Sequence, residues 1–168
     1  MNYKIITIAC LFSLTSLFGC KKKENNDDQA SALALLLATG TSATCSYTSS
    51  GVTLNFVNNT PTATQARIGF TDISGVNKYA AVQAKSLNVG QKVAFKNTGS
   101  IILQVYKTTE CQIVTGTTPE AVLLTDYSLA TSGSNQTYTI LSAGSYVFIL
   151  QTSLTADTNS FTVGLETL

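Results

Sequence analysis

The chain has no histidine and no tryptophan among its 168 residues. Without histidine, neither a Ser-His-Asp nor a Cys-His catalytic arrangement is possible, and the commonest zinc ligand is missing. Without tryptophan, a carbohydrate site would lack its usual stacking residue. Charge is also sparse, at 11% Asp, Glu, Lys and Arg. No basic cluster suggests a nucleic-acid partner. No glycine-rich stretch matches a phosphate-binding motif, and no pair of cysteines has C-x-x-C spacing. Thr, Ser, Asn and Gln are plentiful instead, so the expected surface is neutral and polar.

The N-terminus is built differently from the rest. Lys4 supplies a positive charge, Ile5 to Leu17 form an apolar run, and small Gly19 precedes Cys20. This is the layout of a secretory signal, and the run is too short to span a hydrocarbon core, which takes ~20 apolar residues. The segment Leu17-Phe18-Gly19-Cys20 resembles the lipobox of bacterial lipoproteins, where a signal peptidase cuts before a cysteine that carries lipid. Phe18 departs from the smaller residue usual there, a looseness similar to spirochaete (Leptospira-like) versions. The resemblance implies a signal peptide over 1–19 and a diacylglyceryl-modified Cys20. It also implies anchoring in the cell envelope, at the outer membrane on its periplasmic or surface face. One acyl chain holds a protein to a membrane only marginally, whereas the two or more chains of a lipoprotein hold it stably.

Beyond Cys20, nine Lys and Arg balance nine Asp and Glu. Residues 20–28 read as the lipidated cysteine and a polar tether, because Lys21 to Asp28 is charged and without periodicity. Cys10 would leave with the signal and Cys20 would take the lipid, leaving Cys45 and Cys111. Export implies an oxidising compartment, so these two are expected as a disulfide, the alternative being two free thiols.

Residues 29–40 form the one helix candidate. Asp27 or Asp28 can cap it, Ala and Leu favour it, Gly40 can end it, and Leu33, Leu36 and Leu37 share a face. So short a helix is marginal alone in water and needs something to pack on, whether the domain, the membrane or a partner.

Residues 44–168 switch to a period of two. Val52, Leu54 and Phe56 alternate with polar neighbours, as do Val93 and Phe95, and Phe161, Val163 and Leu165. Ile101 to Tyr106 and Tyr146 to Leu150 are almost continuously apolar, which predicts central strands covered on both faces. Further strands are expected at Gln65 to Phe70, Tyr79 to Leu87, Ala121 to Thr125 and Tyr138 to Leu141. Turn signals such as Ser50-Gly51, Asn97-Thr98-Gly99 and Ser132-Gly133-Ser134-Asn135 separate them. The expectation is an all-β domain, a single antiparallel β-sandwich of about eight strands in jelly-roll or Greek-key order.

One pattern occurs twice: Leu87 to Phe95 aligns with Leu141 to Ile149 as Leu-x-small-Gly-x-x-Val-x-apolar. The second copy, with Tyr146 soon after Gly144, is similar to a turn of bacterial pre-peptidase C-terminal domains and related jelly-roll modules. That resemblance implies a non-catalytic accessory role.

The candidate chemistry is thin. Asp157 and Asn159, with Asp126 or Asp72 from another loop, offer oxygens to calcium, which wants six to eight. Six tyrosines (Tyr47, Tyr79, Tyr106, Tyr127, Tyr138 and Tyr146) offer an aromatic platform for a glycan or a host protein, or ordinary packing in half-buried strands. A carboxylate-dependent hydrolase would need two of Asp72, Glu110, Glu120, Asp126, Asp157 and Glu166 in one cleft. No catalytic residue and no cofactor beyond the lipid is expected. The residues point to a lipid-anchored envelope module that binds an envelope or host protein or glycan, or is structural. A calcium- or glycan-binding module is the second reading and the hydrolase the third.

Overall fold

The computed structural model describes residues 43–73, 75 and 77–166. The expected signal peptide, Cys20, tether and 29–40 helix lie outside the described residues. The described chain is all-β, with twelve strands in two sheets. The first sheet holds β1 (Thr44–Ser49), β2 (Val52–Asn59), β4 (Thr71–Ile73), β5 (Asn77–Leu87), β7 (Ile102–Lys107), β8 (Gln112–Val114) and β11 (Gly144–Ser153). Its order is β7-β11-β5-β2-β1-β8, with β4 also on β5. The second runs β3-β12-β6-β10-β9, from β3 (Ala66–Arg67), β12 (Thr162–Glu166), β6 (Lys92–Lys96), β10 (Asn135–Ile140) and β9 (Tyr127–Ser132).

The first sheet is curled back on itself. Four strand spacings separate β7 from β1 in the ladder, which would put them ~19 Å apart if the sheet were flat. Yet the rings of Tyr47 on β1 and Tyr106 on β7 lie 6.4 Å apart. The β1–β2 hairpin therefore folds over the outer face of β5, β11 and β7, and encloses a core of Cys45, Tyr47, Phe56, Ile113, Val147 and Ile149 among others. The opposite face of β5 and β11 meets the second sheet in a larger core, where Phe148 lies 5.2 Å from Phe95 and 4.9 Å from Tyr138, ring to ring. Alternate residues of β11 thus feed different cores, Tyr146, Phe148 and Leu150 one and Val147 and Ile149 the other. That is why its sequence is a solid apolar run.

The curl brings two parallel pairings into a fold expected to be antiparallel throughout. β2 runs beside β5 at only two positions, Asn58 to Ala81 and Asn59 to Val82, before the hairpin swings away. β8 runs parallel to β1 from Gln112 to Val114. Other expectations also change. The Ile101–Tyr106 run is an edge strand, because β7 ends the sheet with β11 as its strand neighbour, and a register shift opposite Ile149 and Leu150 leaves Leu103 unpaired and 53% exposed. Ala121–Thr125 is a loop rather than a strand, and Gln65–Phe70 shrinks to the two residues of β3. The strand number exceeds the expected eight because β1 and β9, rich in Ser and Thr, carry little apolar signal, and β4 and β8 are only three residues each.

The repeated glycine pattern has a simple origin. Leu87 to Phe95 leads from the first sheet to the second, and Leu141 to Ile149 leads back. Both are arches between sheets, and Gly90 at φ 89° takes a left-handed conformation that favours glycine. The arches are tied together by Gly90 N donating to the Ile140 carbonyl at 2.8 Å.

The expected disulfide is present. Cys45 and Cys111 are joined with Cα atoms 4.9 Å apart, and the Ser46 amide donates to the Cys111 carbonyl at 2.9 Å. Four residues past β7, the bridge fastens the chain to β1, so it locks the curl shut. Its sequence separation of 66 residues corresponds to about 4 kcal/mol of loop-closure stabilisation. The double variant Cys45→Ala/Cys111→Ala should lose about that much in denaturant unfolding. In it, amide exchange should speed up first at Gln112 to Val114. In the larger core, Phe148→Ala should cost 3–5 kcal/mol, roughly, by the same measurement.

Candidate functional site: an apolar loop held by an ion pair

After β8 the chain returns along the edge of β7. The Lys107 amide donates to the Pro119 carbonyl at 3.0 Å and the Ala121 amide to the Val105 carbonyl at 2.9 Å. Pro119 has no N–H to offer, and an edge is where that absence is tolerated. The chain then makes a tight loop, Val122-Leu123-Leu124-Thr125, before β9 begins.

Asp126 builds this loop. Its carboxylate accepts from the Val122 amide at 2.9 Å, and its own amide donates to the Val122 carbonyl at 2.8 Å. The Leu124 amide donates to the Tyr127 carbonyl at 2.7 Å and the Thr125 amide to the Val122 carbonyl at 3.1 Å. The other carboxylate oxygen meets Lys107 Nζ at 2.8 Å. Lys107 also donates to Ser142 Oγ at 2.6 Å and lies 5.9 Å from the centre of the Tyr146 ring. The Tyr146 hydroxyl donates to the Ser142 carbonyl, with the Asp126 carbonyl 3.2 Å away. One knot therefore joins β7, the β10–β11 arch and the start of β9.

What the knot displays is apolar. Val122, Leu123 and Leu124 are 54, 50 and 77% exposed. Leu141, whose amide donates to the Asp126 carbonyl at 2.8 Å, is exposed beside them, as is Leu129 on the edge strand β9. Leu124 sits at φ 66° without being glycine. A left-handed leucine costs roughly 1–2 kcal/mol, and here that conformation ends in a side chain left in water.

The pair titrates as a unit of opposite shifts. The hydrogen bond from Lys107, then that from the Val122 amide, holds the Asp126 carboxyl below its usual range. The hydrogen bond to Asp126 raises the Lys107 ammonium, against some loss of hydration. Burial raises the Tyr146 hydroxyl.

Of the residues anticipated from sequence, Asp126 and Tyr146 stand in this knot, while Asp157 and Asn159 lie elsewhere. Asp157 Oδ1 accepts from the Asn159 amide at 2.9 Å, closing its own turn, while Asn159 Oδ1 accepts from the Arg67 guanidinium. Asp126 is not with them: it lies by Tyr146 at the start of β11, and they follow Ser153 at its end, ~24 Å further along the strand. A cleft of about 450 Å³ beside the Asp157 loop is lined by Arg67, Phe70, Asp72, Lys78 and Thr158, two of them cations. Lys78 Nζ donates to the Ala156 carbonyl at 3.1 Å. No group of three His, Cys, Asp or Glu that could hold a metal occurs among the described residues.

Tyr47, Tyr106, Tyr138 and Tyr146 are buried and Tyr79 and Tyr127 half-buried, so these rings pack rather than form an exposed platform. Asp72, Glu110, Glu120, Asp157 and Glu166 are exposed on separate elements. The apolar loop itself carried no functional signal in the sequence, where Ala121–Thr125 matched a strand.

Asp126→Ala removes a charged acceptor from both Lys107 and the Val122 amide, and should destabilise the domain by about 1–3 kcal/mol in chemical unfolding. Asp126 has a lowered folded pKa, so its contribution is present above the unfolded value near 4 and disappears as pH falls through the folded one. The Lys107 contribution, with a raised folded pKa, is intact below the unfolded value of about 10 and is lost as pH rises through the higher folded one. Wild-type stability should therefore show an acid-side fall that Asp126→Ala lacks. Leu124→Asn, which tolerates the left-handed region, should keep or raise the melting temperature.

No protein-family model matches this chain, and neither does any curated protein or solved structure in the comparisons made.

Proposed function

We propose that this chain is a lipoprotein of the bacterial envelope, anchored through lipid on Cys20, whose β domain works by binding or by a structural role rather than by catalysis. The observation that carries the reading is Leu17-Phe18-Gly19-Cys20 behind a charged start and a short apolar run. The Cys45–Cys111 disulfide supports it from the other end of the chain, since such bridges persist in oxidising compartments. The sparse charge of the sequence and the separately exposed acids agree with a module that offers a surface instead of a reactive cleft. The outer membrane, on either face, is the proposed location.

Intact mass of the protein extracted from membranes tests the anchor. The expected product lacks residues 1–19, carries acyl mass at Cys20, and gains two hydrogens on reduction. A product beginning at Met1, or one with an unmodified Cys20, overturns the anchor. Cys20→Ser should accumulate as an uncleaved precursor on an immunoblot, in place of the mature form.

A further inference from the structure

The geometry points to the Val122–Thr125 loop as a membrane-docking element that lays Leu123 and Leu124 into the interface of the bilayer bearing the lipid anchor; it rests on the lipoprotein reading above. Three consecutive apolar residues are half or more exposed on this loop. An apolar triplet facing water is unfavourable in a soluble fold, and a leucine at φ 66° adds backbone strain to that exposure. The loop is also stiff, because Val122, Leu124, Thr125 and Asp126 all donate their amides to defined acceptors. A preformed apolar tip loses little conformational freedom on insertion. The two charges beneath it, Lys107 and Asp126, neutralise each other at 2.8 Å. Glu120 flanks the loop on the β7 side, where it would stay at the aqueous rim.

Position selects a bilayer over other occupants. The described chain begins at Ala43 and reaches Cys45, which is bridged to Cys111. Cys111 lies just past Lys107, the residue that grips Asp126. The chain arriving from Cys20 therefore joins the domain at the end that carries the loop. From Cys20 to Ala43 is 23 residues, a reach of at most ~80 Å even if fully extended. An anchored domain held that close meets the bilayer at high effective concentration, so a small apolar tip suffices where a free protein would need a larger one. By contrast, the cleft with Arg67, Asp72 and Lys78 borders the loop that follows the far end of β11.

The test uses the full chain purified from membranes, its Cys20 state read by intact mass, with an environment-sensitive fluorophore on Thr125→Cys. Thr155→Cys, exposed at the opposite end, is the control position. Each is reconstituted into phosphatidylethanolamine–phosphatidylglycerol vesicles with and without brominated acyl chains. The expected result is a blue shift and severalfold quenching at position 125, with neither at position 155. Leu123→Ser/Leu124→Asn in the Thr125→Cys chain should abolish the quenching; if that variant fails to fold, the comparison of positions 125 and 155 still decides.

Equal, water-like emission at both positions in an acylated chain overturns the docking and leaves the anchor standing. A bare Cys20 overturns the anchor instead. The same labelled chain added to the vesicles then supports the loop if position 125 is quenched, and rejects it if not. A blue shift without lipid that grows with protein concentration means a second copy covers the loop. A shift seen only with envelope extract means a protein does. Either result overturns the bilayer as occupant.

Discussion

The curling of the first sheet over its own central strands is the constraint from which most of the structure follows. β5 and β11 are sealed on one face by the second sheet and on the other by β1, β2 and β8. Every side chain of Tyr146 to Leu150 is consequently in a core. A strand in that position cannot alternate polar and apolar residues, because both faces are dry. The curl also explains why Ala80, Ala81 and Ala84 occur on β5: small residues let two layers approach the same strand closely. Polar groups caught between the layers have to be paired. Asn58 Nδ2 donates to Gln83 Oε1 at 2.9 Å, and Gln83 Nε2 donates to the Thr109 carbonyl at 2.7 Å. This chain of bonds links the flap to the central strand and to the connection that leaves β7, so it directs the curl, while Asn58 Oδ1 is left without a hydrogen-bond partner among the described residues.

The disulfide and the Lys107–Asp126 pair complement that constraint at neighbouring points of the chain. The disulfide fastens the free end of the curl, β8, to β1. The ion pair fastens β7, at the other end of the same sheet, to the beginning of β9 in the second sheet. Both stand close to Lys107, where the chain passes from the central layer to the flap. Without the first, the flap would be held mainly by apolar contact and a two-residue parallel pairing. Without the second, the open side between β7 and β9 would lose its only described salt bridge.

Much of this was readable from residue order. Tyr146 to Leu150 announced a strand covered on both sides, the glycines at 90 and 144 marked the arches, and the two domain cysteines formed the expected bridge. The misreadings share a cause. Thr44-Cys45-Ser46-Tyr47 and Tyr127 to Ser132 are strands that neighbours define, with few apolar residues of their own. Val122-Leu123-Leu124 has the composition of a strand, but Asp126 diverts its amides into a loop. Lys107 and Asp126 are 19 residues apart and meet only through the packing of two sheets, a relation no local spacing encodes. Of the two carboxylates that could join Asp157 at a calcium site, Asp126 lies at the opposite end of β11, a separation set by topology, whereas Asp72 lines the same cleft as Thr158.

The two ends of the domain are chemically unlike, and this asymmetry bears on how it would meet a surface. Around the loop after β11, charged and polar groups (Arg67, Asp72, Lys78, Asp157 and Asn159) are exposed or occupied with one another. Around the start of β11, the charged pair is largely covered and the side chains left outside are Val122, Leu123, Leu124 and Leu141. The fold itself does not require this. Burial would favour turning the leucines inward, and the backbone would favour glycine or asparagine at position 124. Two independent preferences are overridden at a single residue, in a loop whose hydrogen bonds leave it little freedom to adjust. Strain kept in a rigid loop is maintained by its surroundings, and residues held that way concentrate where a protein contacts something else. Under the anchor proposed above, an apolar end turned to the bilayer, with a polar end opposite, is the polarity that suits a domain resting on a membrane.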